Sequence, residues 1–444
     1  MKLYFLPIRI VIIWSTFTTL ASAQGFYINP VGGISNIGDP SVLKYNGVYY
    51  LYATSEVNRG FLVWTSVDLV HWSNKGLAYD SNMPANSGFG TADFWAPSVI
   101  FYDGQFLMFF SARTSSGHLQ IGLAVSNNPL GPFVNSECPF LNLPGSYIDP
   151  QPFIDDDGTP YLYYVKDCSE NIVNGVHMSQ IYVQALAPHT LYPVGDPVLC
   201  IQPSQQWEGL NNSYQWNEGP FVLKHFGSYY LTYSANYFAS VDYAVGYAIA
   251  SSPLGPWQKY YNNPILQKNL SIGVGGPGGN CVTTSPDGTE YFIVYHALAN
   301  PERPSGDRTL NIDRMVFRSD GSIEVNGPTR SPQPMPSGST STFINEHKSQ
   351  LDRAAFTLMY PNPFNSSSML SFRLKDYSFV QVSVFDILGR KVKELISQYL
   401  APGTHDVMWN GTNEIGMNVP DGIYLFVLYL NGRMTSLQKV IVLK

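Results

Sequence analysis

The sequence predicts an all-β protein: a five-bladed β-propeller followed by a small C-terminal immunoglobulin-like β-sandwich. One pattern occurs five times in residues 24–330: an apolar strand, a Gly-centred turn and an aromatic-rich alternating strand. Its period of roughly 55 to 70 residues is typical of propeller blades. About seven short alternating segments fill residues 356–444, which is typical of a sandwich. The repeat region shows no helical periodicity.

The first residues have the features of a secretory signal peptide. A basic start with Lys2 and Arg9 precedes an apolar run, and Ala21-Ser22-Ala23 offers a small-residue cleavage site. We therefore expect residues 1–23 to be removed. A membrane anchor is the alternative, but the apolar run is short for a span, and no later stretch is long enough to cross a bilayer.

Composition indicates an exported β protein. Aromatic residues make up 14% of the chain, and exposed aromatic rings would suit carbohydrate. The net charge is −7, so the chain lacks the basic excess that is typical of nucleic-acid-binding proteins. The four cysteines are Cys138, Cys168, Cys200 and Cys281. Their spacing fits no zinc site; a Cys168–Cys200 disulfide and buried free thiols are both open.

Three repeats carry a carboxylate just ahead of a strand. The five copies begin at Asp39-Pro40, Trp95-Ala96-Pro97, Asp149-Pro150, Glu218-Gly219-Pro220 and Gly276-Pro277-Gly278-Gly279. Radial repetition would bring the starts of the blades together around one axis, so Asp39, Asp149 and Glu218 are expected to meet there, at similar places in their repeats. Such a trio suggests hydrolysis of a sugar bond. For each acid taken alone, the alternative is that the carboxylate only stabilises a turn of the backbone.

The repeat region resembles glycoside hydrolase family 43. The resemblance is carried by Gly38-Asp39-Pro40-Ser41-Val42, Trp95-Ala96-Pro97, Ile148-Asp149-Pro150-Gln151-Pro152, Asn217-Glu218-Gly219-Pro220, Tyr295-His296-Ala297 and Asp307-Arg308. It implies a five-bladed propeller that hydrolyses arabinosides or xylosides with inversion. It also implies Asp39 as general base, Glu218 as general acid, and Asp149 as the acid that orients the proton donor and tunes its pKa.

Three further residues are predicted to bind substrate. Arg308 could orient a hydroxyl or carboxylate, His296 ends a strand expected near the axis, and Trp95 could form a stacking wall for the sugar. The respective alternatives are a surface salt bridge, a structural histidine and core packing. The rim could also be lined by three aromatic residues: Trp216, Tyr237 and Phe238.

No cofactor is expected to be required. Family members often have Gly-Pro-Gly-His in the fifth blade, with the His near a central calcium. Here the run is Gly276-Pro277-Gly278-Gly279, so Gly279 stands where that His would be. This departure argues against an axial Ca²⁺, and no residue is assigned to a metal.

Residues 331–355 begin with a Pro- and Ser-rich stretch, which predicts an extended linker. Residues 356–444 resemble the C-terminal sorting domain of type IX secretion cargo. The matching runs start at Tyr360-Pro361-Asn362-Pro363, Val384-Phe385-Asp386, Trp409-Asn410-Gly411 and Gly422-Ile423-Tyr424. The resemblance implies export across an outer membrane, often with removal of the tail. A generic sandwich or a small sugar-binding module is the alternative.

The sequence therefore predicts a secreted inverting glycosidase that acts on arabinan, arabinoxylan or xylo-oligosaccharide. An α-L-arabinofuranosidase is favoured, with β-xylosidase and endo-arabinanase as close alternatives. A carbohydrate-binding propeller without catalysis would need no acid trio at its axis, and a cell-surface structural protein would neither bind nor cleave sugar. We expect a monomer that engages the polysaccharide and the secretion machinery, with no nucleic-acid partner and no membrane span in the mature protein.

Overall fold

The computed structural model describes residues 25–339, 354–387, 389–430 and 433–443. The predicted signal peptide and the linker residues from 340 to 353 lie outside the described residues. Within the described ranges the regular structure is β-strand apart from three short 3-10 turns: Pro84–Asn86, Gln206–Glu208 and Leu270–Ile272. The prediction of an all-β protein is confirmed. None of the helical segments described is long and apolar enough to cross a membrane.

Residues 38–325 form five four-stranded antiparallel sheets, numbered here in chain order. Sheet 1 contains Gly38–Tyr45, Val48–Thr54, Gly60–Ser66 and Ser73–Asp80. Sheet 2 contains Ala92–Tyr102, Gln105–Arg113, Leu119–Ser126 and Val134–Glu137. Sheet 3 contains Tyr147–Ile154, Pro160–Lys166, Gln180–Leu186 and Pro193–Ile201. Sheet 4 contains Asn217–His225, Ser228–Ala235, Ala244–Ala250 and Gln258–Lys259, and sheet 5 contains Gly278–Thr284, Tyr291–Leu298, Arg308–Phe317 and Ile323–Val325.

The first strand of each sheet, called the inner strand below, contacts the inner strands of the sheets before and after it. The series closes on itself, because Gly38–Tyr45 of sheet 1 contacts both Ala92–Tyr102 of sheet 2 and Gly278–Thr284 of sheet 5. The five inner strands therefore surround a common axis. The starts of the repeats meet there, as the sequence predicts.

Apolar side chains fill each gap between neighbouring sheets. Tyr52 and Phe61 of sheet 1 pack with Phe110 of sheet 2, for example, and Leu51 of sheet 1 packs with Phe292 of sheet 5. Equivalent clusters join sheets 2 and 3, 3 and 4, and 4 and 5. Because both faces of the central strands are buried, these strands are almost continuously apolar and aromatic.

The chain after sheet 5 returns to the first strand. Gln333–Pro334 pairs with Phe26–Tyr27, and Met335 joins the core between sheets 1 and 5. The Ser337 N–H donates to Glu290 Oε2 (2.8 Å). The predicted start of the linker at residue 331 is therefore too early, because residues up to Ser337 pack against the sheets.

The tail contains seven strands in two antiparallel sheets. One sheet has Ala354–Tyr360, Ser368–Leu374 and Gly403–Trp409; the other has Lys391–Leu400, Ser378–Asp386, Gly422–Leu430 and Arg433–Val442. They share a core in which Phe372 and Trp409 of the first sheet meet Phe426 of the second. A smaller cluster joins Phe385, Leu425 and Val427 of the tail to Phe26 and Ile28.

All four cysteines are free thiols. The Cys168–Cys200 disulfide is not formed, and the alternative of free thiols holds. Burial is the main cause that raises the pKa of Cys168 to about 12, so its thiol stays protonated at neutral pH.

Candidate active site

Each inner strand begins with a β-bulge, and the bulges carry the predicted acids. The first residues of the five bulges are Gly38, Trp95, Ile148, Glu218 and Gly278. The second residues are Asp39, Ala96, Asp149, Gly219 and Gly279, all with φ between 46° and 58°. Non-glycine residues hold this left-handed conformation at a cost of about 1–3 kcal/mol, which is typical of functional sites. Bulges also re-aim side chains, here at the axis.

The bulges correct one expectation about the acids. Asp39 and Asp149 occupy the second bulge position, whereas Glu218 occupies the first. The three acids are therefore not equivalent in the repeat. Because of this one-residue offset, the Glu218 side chain leaves the backbone in a different direction from the side chains of the other two acids. Its environment therefore differs from theirs.

Hydrogen bonds connect the second bulge residue of one sheet to a side chain on the second strand of the preceding sheet. The four bonds of this type are Ala96 N–H to Thr54 Oγ1 (2.8 Å), Asp149 N–H to Ser111 Oγ (3.0 Å), Gly279 N–H to Ser234 Oγ (2.9 Å) and Asp39 N–H to His296 Nδ1 (3.1 Å). The last bond joins sheet 5 to sheet 1. Together they fix the backbone of the site.

The fifth position of this series differs in a way that involves an acid. Val165 occupies the place of the side-chain acceptor, and it has no polar atom to offer. The Gly219 N–H donates instead to Asp149 Oδ2 (2.9 Å). Asp149 is thereby tied to the residue that follows Glu218, which is where a carboxyl that orients the proton donor should lie.

Asp39 has a polar and partly open setting. Its side chain is 28% exposed, and its Oδ1 lies 3.9 Å from Arg308 Nη1. Thr54 Oγ1 donates a hydrogen bond to Asp39 Oδ2 (2.7 Å). The carboxylate is thus oriented by the protein and still accessible to water, which a general base requires.

Glu218 has the opposite setting. Its side chain is buried, and the Tyr243 hydroxyl donates to Glu218 Oε1 (3.0 Å). Burial, followed by the nearby charge of Asp149, raises the pKa of Glu218 well above its usual range. Burial and the charge of Asp39 likewise raise the pKa of Asp149. The raised pKa of Glu218 favours its protonated form, which is the state that a proton donor needs.

The structure overturns the expectation that His296 contacts substrate. The residue is completely buried, so none of its atoms can reach a sugar. Its ring is parallel to that of Tyr243, with the centroids 5.6 Å apart. Burial and the Arg308 charge hold the pKa of His296 well below its usual range, so the ring is neutral and its Nδ1 can accept the Asp39 N–H. His296 positions Asp39.

Arg308 and Trp95 both lie at the axial end of the sheets. Arg308 is mostly buried between Asp39 and the ring of Phe238, whose centroid is 4.9 Å from its Cζ, so it is not a surface salt-bridge residue. Trp95 takes the first bulge position of sheet 2 and is partly buried against the core between sheets 3 and 4. Part of the Trp95 side chain therefore serves core packing, and its contact with sugar stays a prediction.

A cavity of about 460 Å³ is lined by residues that contact Asp39, although none of the three acids belongs to its lining. Thr54 and Arg308, which both contact Asp39, form part of its lining, and Trp64 and Leu62 supply an apolar wall. Its volume is within the range of about 300–1,000 Å³ that is usual for small-molecule sites.

Gly279 offers no ligand for an axial calcium, although the buried Nε2 of nearby His296 lacks a hydrogen-bond partner within the described residues. A Cβ on Gly279 would lie 2.5 Å from His296 Cε1 and 2.7 Å from Asp39 Oδ1, so no ligating side chain can be accommodated there. Across the described ranges, no group of three or more His, Cys, Asp or Glu side chains is placed to hold a metal ion. Ca²⁺ usually takes about six to eight oxygen ligands. No catalytic step is therefore assigned to a metal.

Sequence reasoning missed two residues that hold the acids, Thr54 and Tyr243. Thr54 ends the second strand of sheet 1 and pairs with Gly38 across the bulge. Its signal was available, because Ser111 and Ser234 recur at the same place in sheets 2 and 4. Tyr243 precedes the third strand of sheet 4, and no repeated feature marks it.

Comparison with known families agrees with this geometry. The model for glycosyl hydrolases family 43 matches residues 27–323. The chain belongs to this family. It is therefore an O-glycosyl hydrolase. A second model, for the secretion system C-terminal sorting domain, matches residues 358–443, which directs this family 43 protein to the cell surface or outside the cell.

Several relatives carry names that bear on substrate. A thermostable family-43 glycoside hydrolase of known structure is 61% identical with a TM-score of 0.69, covering 70% of this chain and 99% of that one. A β-D-galactofuranosidase of Aspergillus niger is 30% identical over 64% of this chain and 81% of its own length. An extracellular exo-α-(1→5)-L-arabinofuranosidase of Streptomyces avermitilis is 27% identical over 68% of this chain and 64% of its own length.

Proposed function

We propose that this family 43 protein is an inverting α-L-arabinofuranosidase that acts on arabinan or arabinoxylan. The observation that carries the proposal is the contrast between two carboxyls at one axis. Asp39 is partly open and hydrogen-bonded by Thr54, whereas Glu218 is buried with a raised pKa. Such a contrast is how one site supplies both a base and an acid at the same pH.

The reaction uses the two carboxyls in one step. Glu218 transfers its proton to the glycosidic oxygen, and the bond from that oxygen to the anomeric carbon breaks. Asp39 takes a proton from a water molecule, whose oxygen bonds to the anomeric carbon from the opposite face. The released sugar has inverted configuration. The Asp149 charge favours the protonated form of Glu218 before each turnover.

The choice of an arabinofuranoside rests on relatives, because arabinose and xylose are isomers that a cavity of about 460 Å³ does not distinguish by size. The cavity has room for a single sugar ring and gives it an apolar wall at Trp64. Several relatives are named as arabinofuranosidases or arabinofuranohydrolases, and one is named as a β-D-galactofuranosidase. β-Xylosidase and endo-arabinanase are also names found among relatives, and they are the alternatives.

We also infer the architecture that would serve this function. The five sheets around one axis are proposed to be the blades of a five-bladed propeller, and the two-sheet tail an immunoglobulin-like domain. The tail acts in export, and the catalytic domain works as a monomer. The domain boundaries proposed are 24–339 for the propeller and 356–444 for the tail.

A substrate panel tests the proposal. The full chain is assayed on nitrophenyl α-L-arabinofuranoside, nitrophenyl β-D-xyloside, arabinan and xylan. Asp39→Asn and Glu218→Gln should each lower turnover of arabinan by about 10²–10⁴-fold, because each removes general base or acid catalysis while keeping the size of the side chain. The Glu218 variant should lose less on the nitrophenyl substrate, whose leaving group needs little protonation.

A non-catalytic carbohydrate-binding protein is the competing function. It would bind arabinan with no release of sugar from any substrate in the panel. If both variants kept the full activity of the wild type, the assignment of Asp39 as base and Glu218 as acid would be wrong.

A further inference from the structure

Five aromatic rings form a continuous row beside the acids. The row consists of His177, Tyr214, Trp216, Tyr237 and Phe238. Successive ring centroids are 4.4, 6.0, 5.7 and 4.8 Å apart. The first two pairs are nearly parallel, with interplanar angles of 13° and 21°, so that part of the row presents a flat face.

The row reaches the catalytic site from two directions. Trp216 lies two residues before Glu218 and immediately before the inner strand of sheet 4. Phe238, at the other end, contacts the Arg308 guanidinium, which in turn lies beside Asp39. The row is thus continuous with the site and not a separate surface patch.

A small separate sheet supports the outer end of the row. The strand Val176–Met178 pairs with Ile172–Val173 on one side and with Tyr214–Gln215 on the other. This pairing sets His177 directly against Tyr214. Segments inserted between the strands of sheets 3 and 4 thus hold two of the aromatic rings. The five sheets do not need these segments in order to surround the axis.

The rings are accessible and carry polar edges. Tyr214 is 43% exposed and Tyr237 is 48% exposed, although aromatic side chains would be more stable buried. Flat rings with polar tips suit sugars, because they contact the apolar faces of sugar rings and can also hydrogen-bond to hydroxyls.

We propose that this row binds the main chain of a neutral polysaccharide, so that a branch of the same polymer enters the site at Asp39 and Glu218. The inference rests on the proposed function, because the general acid marks the leaving-group side of the scissile bond. Trp216 lies two residues before that acid in the chain. The polymer that remains after cleavage therefore lies along the row, and the enzyme is a debranching enzyme of long chains.

Two variants of the full chain test the row: Trp216→Ala and Tyr214→Ala. The control is Tyr261→Ala, which removes an 87% exposed tyrosine whose ring contacts Tyr260 and no ring of the row. For each protein, kcat/KM is measured on arabinoxylan, on branched arabinan and on nitrophenyl α-L-arabinofuranoside. The ratio of polymer to nitrophenyl activity should fall about tenfold in the row variants and stay at the wild-type value in the control.

A binding measurement removes dependence on catalysis. In the Glu218→Gln background, migration in native gels that contain arabinoxylan or branched arabinan should be retarded, and adding Trp216→Ala or Tyr214→Ala should abolish the retardation. Ratios and migration equal to those of the control on both polymers would overturn the row as a polysaccharide site. If the wild-type chain hydrolyses nothing but the gel result holds, the proposed function fails and the binding site stands.

Discussion

At the scale of single residues, Asp149 has two tasks that one carboxylate can perform together. It accepts the Gly219 N–H, which Val165 at the usual acceptor position cannot do, and its charge raises the pKa of Glu218. The first task is structural and the second electrostatic. They can be separated by a variant that keeps the oxygen acceptor and loses the charge.

Asp149→Asn is that variant, and its effect should appear in the pH profile. A negative neighbour raises the pKa of a carboxyl, so removing the charge should lower the pKa of Glu218. Glu218 then loses its proton at lower pH, and the alkaline limb of kcat/KM should move to lower pH. Asp156→Asn, on an exposed turn, serves as control. An alkaline limb that stays in place or moves upward would show that Asp149 does not tune the acid.

Gly279 leads to a prediction about metals. Its lack of a side chain leaves the space to His296 and Asp39, and a ligating residue there would collide with both. Activity should therefore change little after exhaustive treatment with EDTA, measured in parallel with an untreated sample. Complete loss, restored by added Ca²⁺, would contradict this and would point to backbone oxygens or other groups as ligands.

At the scale of elements, the hydrogen bonds between sheets hold the site together, and Thr54 is the member that also touches an acid. Thr54→Val keeps the shape of the side chain but leaves the Ala96 N–H without its acceptor and Asp39 without its donor. The free energy of unfolding should fall by about 1–3 kcal/mol, and kcat should fall as well.

Thr54→Ser, which keeps the hydroxyl, is the matched control for both measurements. Denaturant unfolding and steady-state kinetics should show it near wild type. A valine variant as active as the serine variant would mean that Asp39 does not depend on this bond for its orientation.

The sequence predicts elements better than it predicts their offsets. Five copies of one strand–turn–strand pattern are enough to expect five sheets, and the Pro residues after Asp39 and Asp149 mark where the inner strands start. The shift of Glu218 to the first bulge position was missed although the sequence carries its signal: Asp39 and Asp149 directly precede a proline, whereas Gly219 separates Glu218 from Pro220. Tyr243 was out of reach, since burial beside Glu218 is a tertiary property.

Some residue types carried too little information to choose between roles. A histidine near the axis suits sugar binding or structure equally well, and only its complete burial assigns His296 to positioning Asp39. The linker posed a similar problem. Pro and Ser after residue 330 indicate an extended chain, and an extended chain can also be a paired edge strand, as Gln333–Pro334 is.

At the scale of the whole molecule, the ring of sheets should function without the tail. A chain ending at Ser339 keeps Met335 in the core and the strand paired with Phe26–Tyr27, and it should be soluble and fully active. A chain ending at Arg330 loses both and should have a lower Tm. In the native host, deletion of 356–444 should leave the enzyme in the periplasm, as cell fractionation would reveal.

Two outcomes would contradict this view of the tail. Normal appearance of the shortened enzyme outside the cell would remove its sorting role. A well-folded chain ending at Ser339 that had lost catalysis would make the tail part of the substrate site.

The central claim is that Asp39 activates water and does not itself attack the sugar. Proton NMR of the first sugar released from a natural arabino-oligosaccharide tests this most directly, because the two roles give opposite anomers. The structure leads us to expect the anomer inverted relative to the substrate, before mutarotation mixes the two forms. A first-formed sugar with the configuration of the substrate would make Asp39 a nucleophile and would contradict the mechanism.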